Sequence, residues 1–585
     1  MRVVTPRHLR LTSQGVFFVL FLWLLFHAAF RGSFQLAGGE VRLPYPVSLF
    51  LEADPLLAVV TALSSGTLYR NLLWALAVLV PTLFLGRFFC GWICPFGSLH
   101  HFIGSFTSEK KRGATLLESN RYKKWQAWKY YLLAALLVAA VFGSALGGIF
   151  DPISLLVRGL SVTVLPAAGY ALNAAFDALY ATGLRPLRLT ADGLSIVFQG
   201  SLVAFKQPHF RQADLIGLIF VGLLLINLRV TRLWCRAVCP LGALLGLASR
   251  WSFLTLVKDH SRCDDCRRCL LRCQGGDDPI PGAQWRQAEC HLCLNCTSEC
   301  PTAGLAFRFR TAVPPADRRE GPELQRRKLL TGLAAGAGIV PLLRATPALA
   351  REIDARLIRP PGALDEPHLL ERCIRCGACM KVCPNNALHP AWFEAGLEGV
   401  WSPVLVPRIG YCEPSCVLCG QVCPTGAIWE ITQAEKLGKP APGIGAAAAV
   451  APPAPSADAT AGSAPAAAPP TGGTQGTPPV KIGTAFYDRG RCLPWAMATE
   501  CIVCEEWCPT SPKAIYLVPA EMADSTGVLK PVRQPYVDPK LCIGCGACEY
   551  ACPVRDRPAV YVTSVGESRS KTNQFILQRP PKRAT

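Results

Sequence analysis

Arg326-Arg327-Lys328-Leu329-Leu330, with the apolar run behind it, divides this chain in two. The run from Leu329 to Leu343 has 15 residues and no charge. That is short for a membrane span and suits the apolar core of a signal sequence. It is rich in Gly and Ala, and Ala348-Leu349-Ala350 has the small-x-small form of a cleavage site. A twin-arginine pair ahead of such a run is an address read by a receptor, not an anchor. The plainer reading of residues 323–350 is a fifth transmembrane segment with basic flanks. Either reading sends residues 351–585 across a membrane.

The 585 residues exceed what one domain usually holds. Mean hydropathy is positive and 51% of residues are hydrophobic, so membrane segments are expected. The net charge of +20 does not call for nucleic acid. Much of the excess flanks apolar runs, where the positive-inside rule places it. Residues 1–250 read as an α-helical membrane bundle of four transmembrane helices: Leu11 to Phe30, Asn71 to Phe89, Tyr130 to Phe150 and Leu215 to Trp234. Arg2, Arg7 and Arg10 put the N-terminus on the cytoplasmic side. Residues 87–129, with eight Lys/Arg against two Glu, mark an inner loop. Leu160 to Tyr180, with Asp177 its only charge, reads as an interfacial helix or a re-entrant hairpin. Arg229 and Arg232 are expected to snorkel inward to water. Residues 251–328 are then cytoplasmic and 351–585 periplasmic, in a multi-pass protein of a bacterial inner membrane.

The 28 cysteines say more. A four-iron cluster needs four thiolates, and CxxCxxC wraps three of them around it. A fourth cysteine, before Pro, usually ligates the other cluster of a pair. Cys263, Cys266, Cys269 and Cys273 form one quartet, with Gln274 where proline is usual. Cys290, Cys293, Cys296 and Cys300 form the next, with Pro301. Residues 251–310 therefore read as an α+β two-cluster ferredoxin domain, with Cys300 and Cys273 exchanged between the clusters. Zinc sites seldom carry a third evenly spaced cysteine plus CxxxCP.

Residues 351–585 hold four more quartets: Cys373, Cys376, Cys379, Cys383; Cys412, Cys416, Cys419, Cys423; Cys492, Cys501, Cys504, Cys508; and Cys542, Cys545, Cys548, Cys552. Six quartets imply six [4Fe-4S] clusters and leave no cysteine for a disulfide. Export after cluster insertion keeps the thiols from oxidation. The outer two quartets are regular and the inner two irregular. That mirror order suggests nested pairing of fourth ligands, first quartet with fourth and second with third; adjacent pairing is the alternative. A low-complexity insertion at 438–479 interrupts this part and cannot bury a core. The four cysteines left over are Cys90/Cys94 in FFCGWICPFG and Cys235/Cys239 in LWCRAVCPLG. Each pair is CxxxCP at the inner end of a span. The four could meet and hold a further metal or cluster, act as redox thiols, or be structural.

The spans with paired CxxxCP motifs and the two-cluster domain resemble the NapH-type membrane quinol dehydrogenase subunit of periplasmic nitrate reductase systems. GYCEPSCVLCGQVCPTGAI and CIVCEEWCPTSPKAI are similar to the NapG-type polyferredoxin and its methylamine-utilisation (MauM) relative. The chain departs from both by fusing them and by its insertion. The resemblance implies that electrons pass from quinol, drawn from membrane lipid, to a periplasmic cytochrome or reductase. Quinol oxidation needs a nearby base. His27 is the candidate, with Glu40, Glu52 and Asp54 behind it. The competing functions are an accessory polyferredoxin for maturation or reactivation of a periplasmic metalloenzyme, and a membrane-anchored redox sensor.

Overall fold

The computed structural model describes residues 6–30, 34, 40–108, 113–198, 207–281, 285–309, 324–349, 356–438 and 478–574. Most of the low-complexity insertion, 439–477, and Ala350 of the small-x-small triplet lie outside the described residues. The protein is multidomain and about half helical, with ferredoxin-like cysteine domains. It divides into two compact units. The first comprises Met1–Gly32, Arg42–Gly410 and Leu418–Trp429; the second comprises Ser33–Val41, Tyr411–Val417 and Glu430–Thr585.

The helices that organise the first unit are α1 (Pro6–His27), α2 (Pro55–Ser65), α3 (Pro95–Ser108), α4 (Trp128–Val141), α5 (Pro152–Arg158) and α6 (Arg326–Leu349). Among the described residues two helical stretches are long and apolar enough to cross a membrane, Pro6–His27 and Pro152–Ala181. The expected spans therefore differ from the observed helices. The second is a 3-10 turn Arg70–Ala75 and a helix Leu76–Leu85, with Pro81 inside it. Gly86, at φ +91°, then turns the chain out of the helix. The third ends early because Gly143 turns at φ +79° after Val141. The fourth stops at Ile226, and Arg232 takes φ +54° before a π-turn over Trp234–Val238. The Leu160–Tyr180 stretch lies within continuous helix from Pro152 to Ala181, through a π-turn at Gly159–Val164, and is no hairpin.

One hydrophobic core binds α1 to α5 together, built on Phe21, Leu56, Phe96, Leu133, Ile153 and Phe220. The stretch at 326–349 is α6, a single helix packed along α4. Gly332 and Gly336 lie at the crossing, where an added Cβ on Gly336 would collide with Ala135 backbone and one on Gly332 would press on the Tyr131 carbonyl. Small residues let two helix backbones approach in this way. Val340 and Leu343 extend the seam onto Leu136, Ala139 and Leu146. Arg344 closes it with a fork onto Glu398, at 2.8 and 3.2 Å, and a bond to the Gly143 carbonyl, at 2.7 Å. Gly336→Leu should cost about 1–3 kcal/mol by overpacking this crossing. It should expose residues 326–349 to protease while leaving iron content unchanged; protection equal to the parent's would mean the seam does not hold.

Four two-stranded antiparallel sheets frame the cysteine runs. In the first unit β1 (Leu254–Lys258) pairs with β2 (Leu305–Phe309), closing the ends of the 263–300 run. β3 (Leu388–Pro390) pairs with β4 (Pro403–Leu405). In the second unit β5 (Thr484–Tyr487) pairs with β8 (Val560–Thr563), and between them β6 (Ile515–Ala523) and β7 (Leu529–Val537) form a hairpin.

Candidate iron–sulfur sites

The cysteine loops share one backbone device. In every regular CxxCxxC run the residues on both sides of the second cysteine are left-handed. They are Asp265 and Arg267, Leu292 and Leu294, Arg375 and Gly377, and Gly544 and Gly546, at φ from +49° to +84°. Only three of the eight are glycine, so five positions accept steric strain of about 1–2 kcal/mol each. Strain repeated at equivalent places is a mark of function. Successive N–H groups in such turns form a concavity that binds anions, as around iron–sulfur groups.

The loops converge as cages. Cys263, Cys266, Cys269 and Cys300 line one cavity, so the fourth ligand comes from the neighbouring run as its spacing predicts. Cys273 joins Cys290, Cys293 and Cys296, each within electrostatic reach of the others. Cys373, Cys376 and Cys379 share a cavity with Cys423. Cys542, Cys545 and Cys548 share one with Cys508. Cys492, Cys501 and Cys504 gather with Cys552. Pairing is therefore adjacent, first run with second and third with fourth, and the nested expectation is corrected. Closing a loop between neighbouring runs costs less entropy than closing one across the whole domain. The remaining four, Cys383, Cys412, Cys416 and Cys419, are divided between the two units.

The donor chemistry fits iron–sulfur clusters. Burial pushes the thiols of Cys273 and Cys376 up to about 12. Neither would ionise alone at neutral pH; iron bonding is what would make thiolates of them. Backbone N–H groups already point at sulfur, from Ala387 to Cys383 at 3.3 Å and from Ile428 to Cys423 at 3.4 Å. The Tyr487 hydroxyl lies 3.1 Å from Cys504 Sγ.

The two CxxxCP pairs meet. Cys90, Cys94, Cys235 and Cys239 are all buried, and burial with mutual repulsion pushes the Cys94 and Cys239 thiols well above their ordinary range. Cys94 and Cys239 play matching parts, each Sγ accepting the N–H of the glycine three residues on, Gly97 at 3.4 Å and Gly242 at 3.2 Å. Around the quartet lie Arg87, Lys129 and Arg232, none exposed to solvent. Lys129 is matched by buried Glu289, which also accepts the Tyr130 hydroxyl at 2.8 Å. Arg87 bonds the Ala288 carbonyl and reaches to 4.0 Å from Cys90 Sγ; Arg232 bonds the Cys90 carbonyl. No carboxylate among the described residues is hydrogen-bonded to either guanidinium, and Nε of both and Nη2 of Arg232 have no partner. Arg87 lies within electrostatic reach of the buried Glu289 carboxylate, whereas Arg232 has no such anion among the described residues, and a buried cation of that kind is costly unless an anion offsets it. Four neutral thiols or two disulfides supply no charge; a metal–thiolate centre supplies negative charge. Arg232 thus serves the quartet and does not snorkel as its position in the sequence suggests.

The quartet abuts both neighbours within the first unit. Gly91 packs so tightly on the His291 carbonyl that any Cβ would collide with it, and Trp92 Nε1 donates to the Leu292 carbonyl at 2.9 Å. Cys90 is thereby seated on the 290–296 run. On the other side Cys90, Cys94, Cys239 and Cys376 belong to one hydrophobic core. Seven-residue α5, about 10 Å long, ends in Arg158, which bonds the Arg375 carbonyl at 2.9 Å.

The other sequence candidates have local roles. His27 lies tilted against Trp23 and meets Tyr45 edge-on, with Nδ1 2.8 Å from the Trp23 carbonyl. Glu52 accepts Ser48 and Asn71 at 2.7 and 3.2 Å. Asp54 caps α2 through Leu56 N and Leu57 N, and Asp151 caps α5 through Ser154 N. Both aspartates are fully buried, and Oδ2 of Asp54 and Oδ1 of Asp151 have no hydrogen-bond partner; burial and the neighbouring Asp151 carboxylate push Asp54 well above the usual carboxylate range. Sequence reasoning missed this repeat, although Asp-Pro followed by CxxxCPxG occurs twice, at 54–97 and 151–242.

A family profile described as "4Fe-4S binding domain" matches residues 67–113 and 215–254, the segments that carry the two CxxxCP pairs. A second of the same description matches 368–389 and 535–555, on two of the cages. YccM of Escherichia coli (strain K12) is 26% identical over 249 residues, 42% of this chain, and the chain spans only 58% of that relative's length. The methylamine utilization ferredoxin-type protein MauM of Paracoccus denitrificans (strain Pd 1222) is 30% identical over 241 residues, covering 39% of this chain and 84% of MauM. The ferredoxin-type protein NapG of Escherichia coli (strain K12) is 30% identical over 254 residues, covering 42% of this chain and 88% of NapG. No solved structure matches the chain. Cages that the backbone shapes for clusters, and relatives covered over most of their length, lead to one conclusion: the chain is an iron–sulfur electron-transfer protein and belongs to the NapG/MauM family of ferredoxin-type proteins.

Proposed function

We propose that this protein takes electrons from quinol in a bacterial inner membrane and delivers them through six [4Fe-4S] clusters to a periplasmic acceptor, a cytochrome or a reductase. In this reading the N-terminal part is the NapH-type membrane subunit, fused to its polyferredoxin partner, and the CxxxCP quartet is a further metal–thiolate centre. The observation that carries it is the single core holding Cys90, Cys94 and Cys239 together with Cys376. A centre at the quartet then bridges the 263–300 cages and the first cage of the C-terminal part. The chain's own residues supply burial, fixed sulfur positions and compensating cations; the clusters supply the electron chemistry.

The test is reduction of the anaerobically purified protein by a soluble quinol analogue, followed by cluster absorbance. Reduction within seconds is expected, and none over hours would end the quinol reading. The α6–α4 seam favours retention of residues 326–349 over cleavage. The mature protein is therefore expected to run as one chain near 63 kDa.

Cys412 and Cys416, both in the second unit, are assigned to the sixth cluster. Within the second unit Lys436, only 3% exposed, donates to Cys412 Sγ at 3.3 Å and to the carbonyls of Glu413 and Cys416 at 2.7 and 2.6 Å. A buried ammonium on a ligand sulfur favours the reduced, more negative cluster. Lys436→Met should therefore lower that cluster's midpoint potential and destabilise the domain by about 1–3 kcal/mol. A potentiometric titration read by electron paramagnetic resonance measures it, and an unmoved potential would remove Cys412 from the ligand set.

A further inference from the structure

A cavity of about 670 Å³ lies in the first unit, lined by Arg7, Arg10, His101, Arg272, Cys273, Gln274 and Asn295 among others. That volume suits a small organic molecule. Three of its buried side chains carry polar atoms with no partner: Nε and Nη1 of Arg10, Oε1 of Gln274 and Oδ1 of Asn295. Arg10 is 1% exposed, Asn295 6% and Gln274 9%. The Asn295 amide is oriented by its own bond, Nδ2 donating to the Arg272 carbonyl at 2.9 Å, so its oxygen is the free end. The cavity therefore offers unmet donors and unmet acceptors together. A bare phosphodiester only accepts, and would leave both amide oxygens without a donor. A ring carrying two hydroxyls, oxidised to two carbonyls, uses both kinds of group.

A base stands in the same wall. Gln14 donates through Nε2 to the Gly91 carbonyl at 2.6 Å, which turns its Oε1 toward His101 Nδ1 at 3.0 Å. Nδ1 then carries the proton and Nε2 keeps its lone pair. Burial, with Arg232, Arg10 and Arg7 nearby, pushes His101 well below the ordinary histidine range, so it stands neutral and would hold a proton only in passing to water. Cys273, a member of the 290–296 cage, lines the cavity directly, and Arg10 is within electrostatic reach of Cys293. Arg7 and Arg10 belong to the first turns of α1, one of the two stretches apolar enough to cross a membrane. A ring carried in lipid can enter at that end.

We infer that this cavity is where the quinol is oxidised, with Gln274 and Asn295 accepting from its hydroxyls, Arg10 donating to its oxygens and His101 Nε2 taking the first proton. This location rests on the quinol reading above and replaces His27 as the base. Quinol loses two O–H protons and two electrons and becomes quinone. The first proton goes to His101 and on to water at the cavity mouth, and the second goes to that water. The two electrons would be taken singly by the iron–sulfur clusters that Cys263, Cys266, Cys269 and Cys300, and Cys273, Cys290, Cys293 and Cys296, would hold. Gln274, where proline usually follows the cysteine, is explained by this role.

The test uses the whole protein, decylubiquinol as reductant and a photoreactive azidoquinone as label. Gln274→Leu should raise the KM for decylubiquinol about tenfold, and His101→Phe should lower the limiting reduction rate about 10²-fold. Iron content and reduction by dithionite should be unchanged in both. Label should be recovered on peptides containing His101 or Arg272–Gln274 and be displaced by unlabelled quinol. Normal reduction kinetics in both variants, with label elsewhere, would overturn the location while leaving the quinol reading standing. Label displaced by anionic phospholipid but not by quinol would make the cavity a lipid site and also overturn it. Failure of the parent protein to be reduced by decylubiquinol would sink the quinol reading itself.

Discussion

Glu289→Ala is expected to destabilise the first unit by about 3–5 kcal/mol, the usual cost of stranding one member of a buried ion pair. Glu289 is 1% exposed and Lys129 not at all, so water cannot replace the lost carboxylate. The Tyr130 hydroxyl loses its acceptor in the same step. The stranded ammonium faces Cys235 and Cys239, where Arg87 and Arg232 already crowd positive charge. Replacing the pair together, Lys129→Met with Glu289→Leu, should recover most of the loss, because an apolar pair of similar volume carries no desolvation cost. Chemical denaturation of the anaerobic protein measures both variants. A double variant as unstable as Glu289→Ala would show that the ion pair is not what holds this site.

Much of this was legible from spacing. The first two runs exchange Cys273 and Cys300 as CxxCxxCxxxC predicts. In the C-terminal part the mirror order of regular and irregular runs misled, because regularity of a loop says nothing about which run folds beside it. Apolar stretches were legible as stretches, but their breaks were not. Gly86 and Gly143 turn the chain inside runs that composition alone reads as continuous. Arg87 and Arg232 read as inner-loop and snorkelling charges, since the sequence cannot show that four thiols lie beside them. The donor cavity was invisible for a similar reason: Arg10, His101, Gln274 and Asn295 are far apart in the chain. Gln274 was noticed only as a missing proline.

Cys423→Ala is expected to empty the cage of Cys373, Cys376 and Cys379, about 50 residues upstream in the chain. One cluster should go, so iron should fall by about four atoms per chain. Cys552→Ala should instead strike the Cys492, Cys501 and Cys504 cage. Nested pairing predicts the reverse, with Cys552→Ala emptying the 373–379 cage. Iron analysis with resonance spectra of each single variant separates the two schemes. Loss of the 373–379 signal in Cys552→Ala but not in Cys423→Ala would overturn the adjacent arrangement. The effect is large because a three-thiolate cage loses a ligand from a buried, electrostatically demanding site.

The exchange of fourth ligands also sets an order on biosynthesis. A ribosome that has made Cys263, Cys266 and Cys269 has made an open cup, and it stays open until Cys300 emerges 31 residues later. The cup at Cys373, Cys376 and Cys379 likewise waits for Cys423, 44 residues after Cys379. In each couple the cup opened first is closed last: Cys273, Cys290, Cys293 and Cys296 are all made before Cys300, and Cys508, Cys542, Cys545 and Cys548 before Cys552, so a nascent chain cut just short of the final cysteine spoils the earlier cup alone.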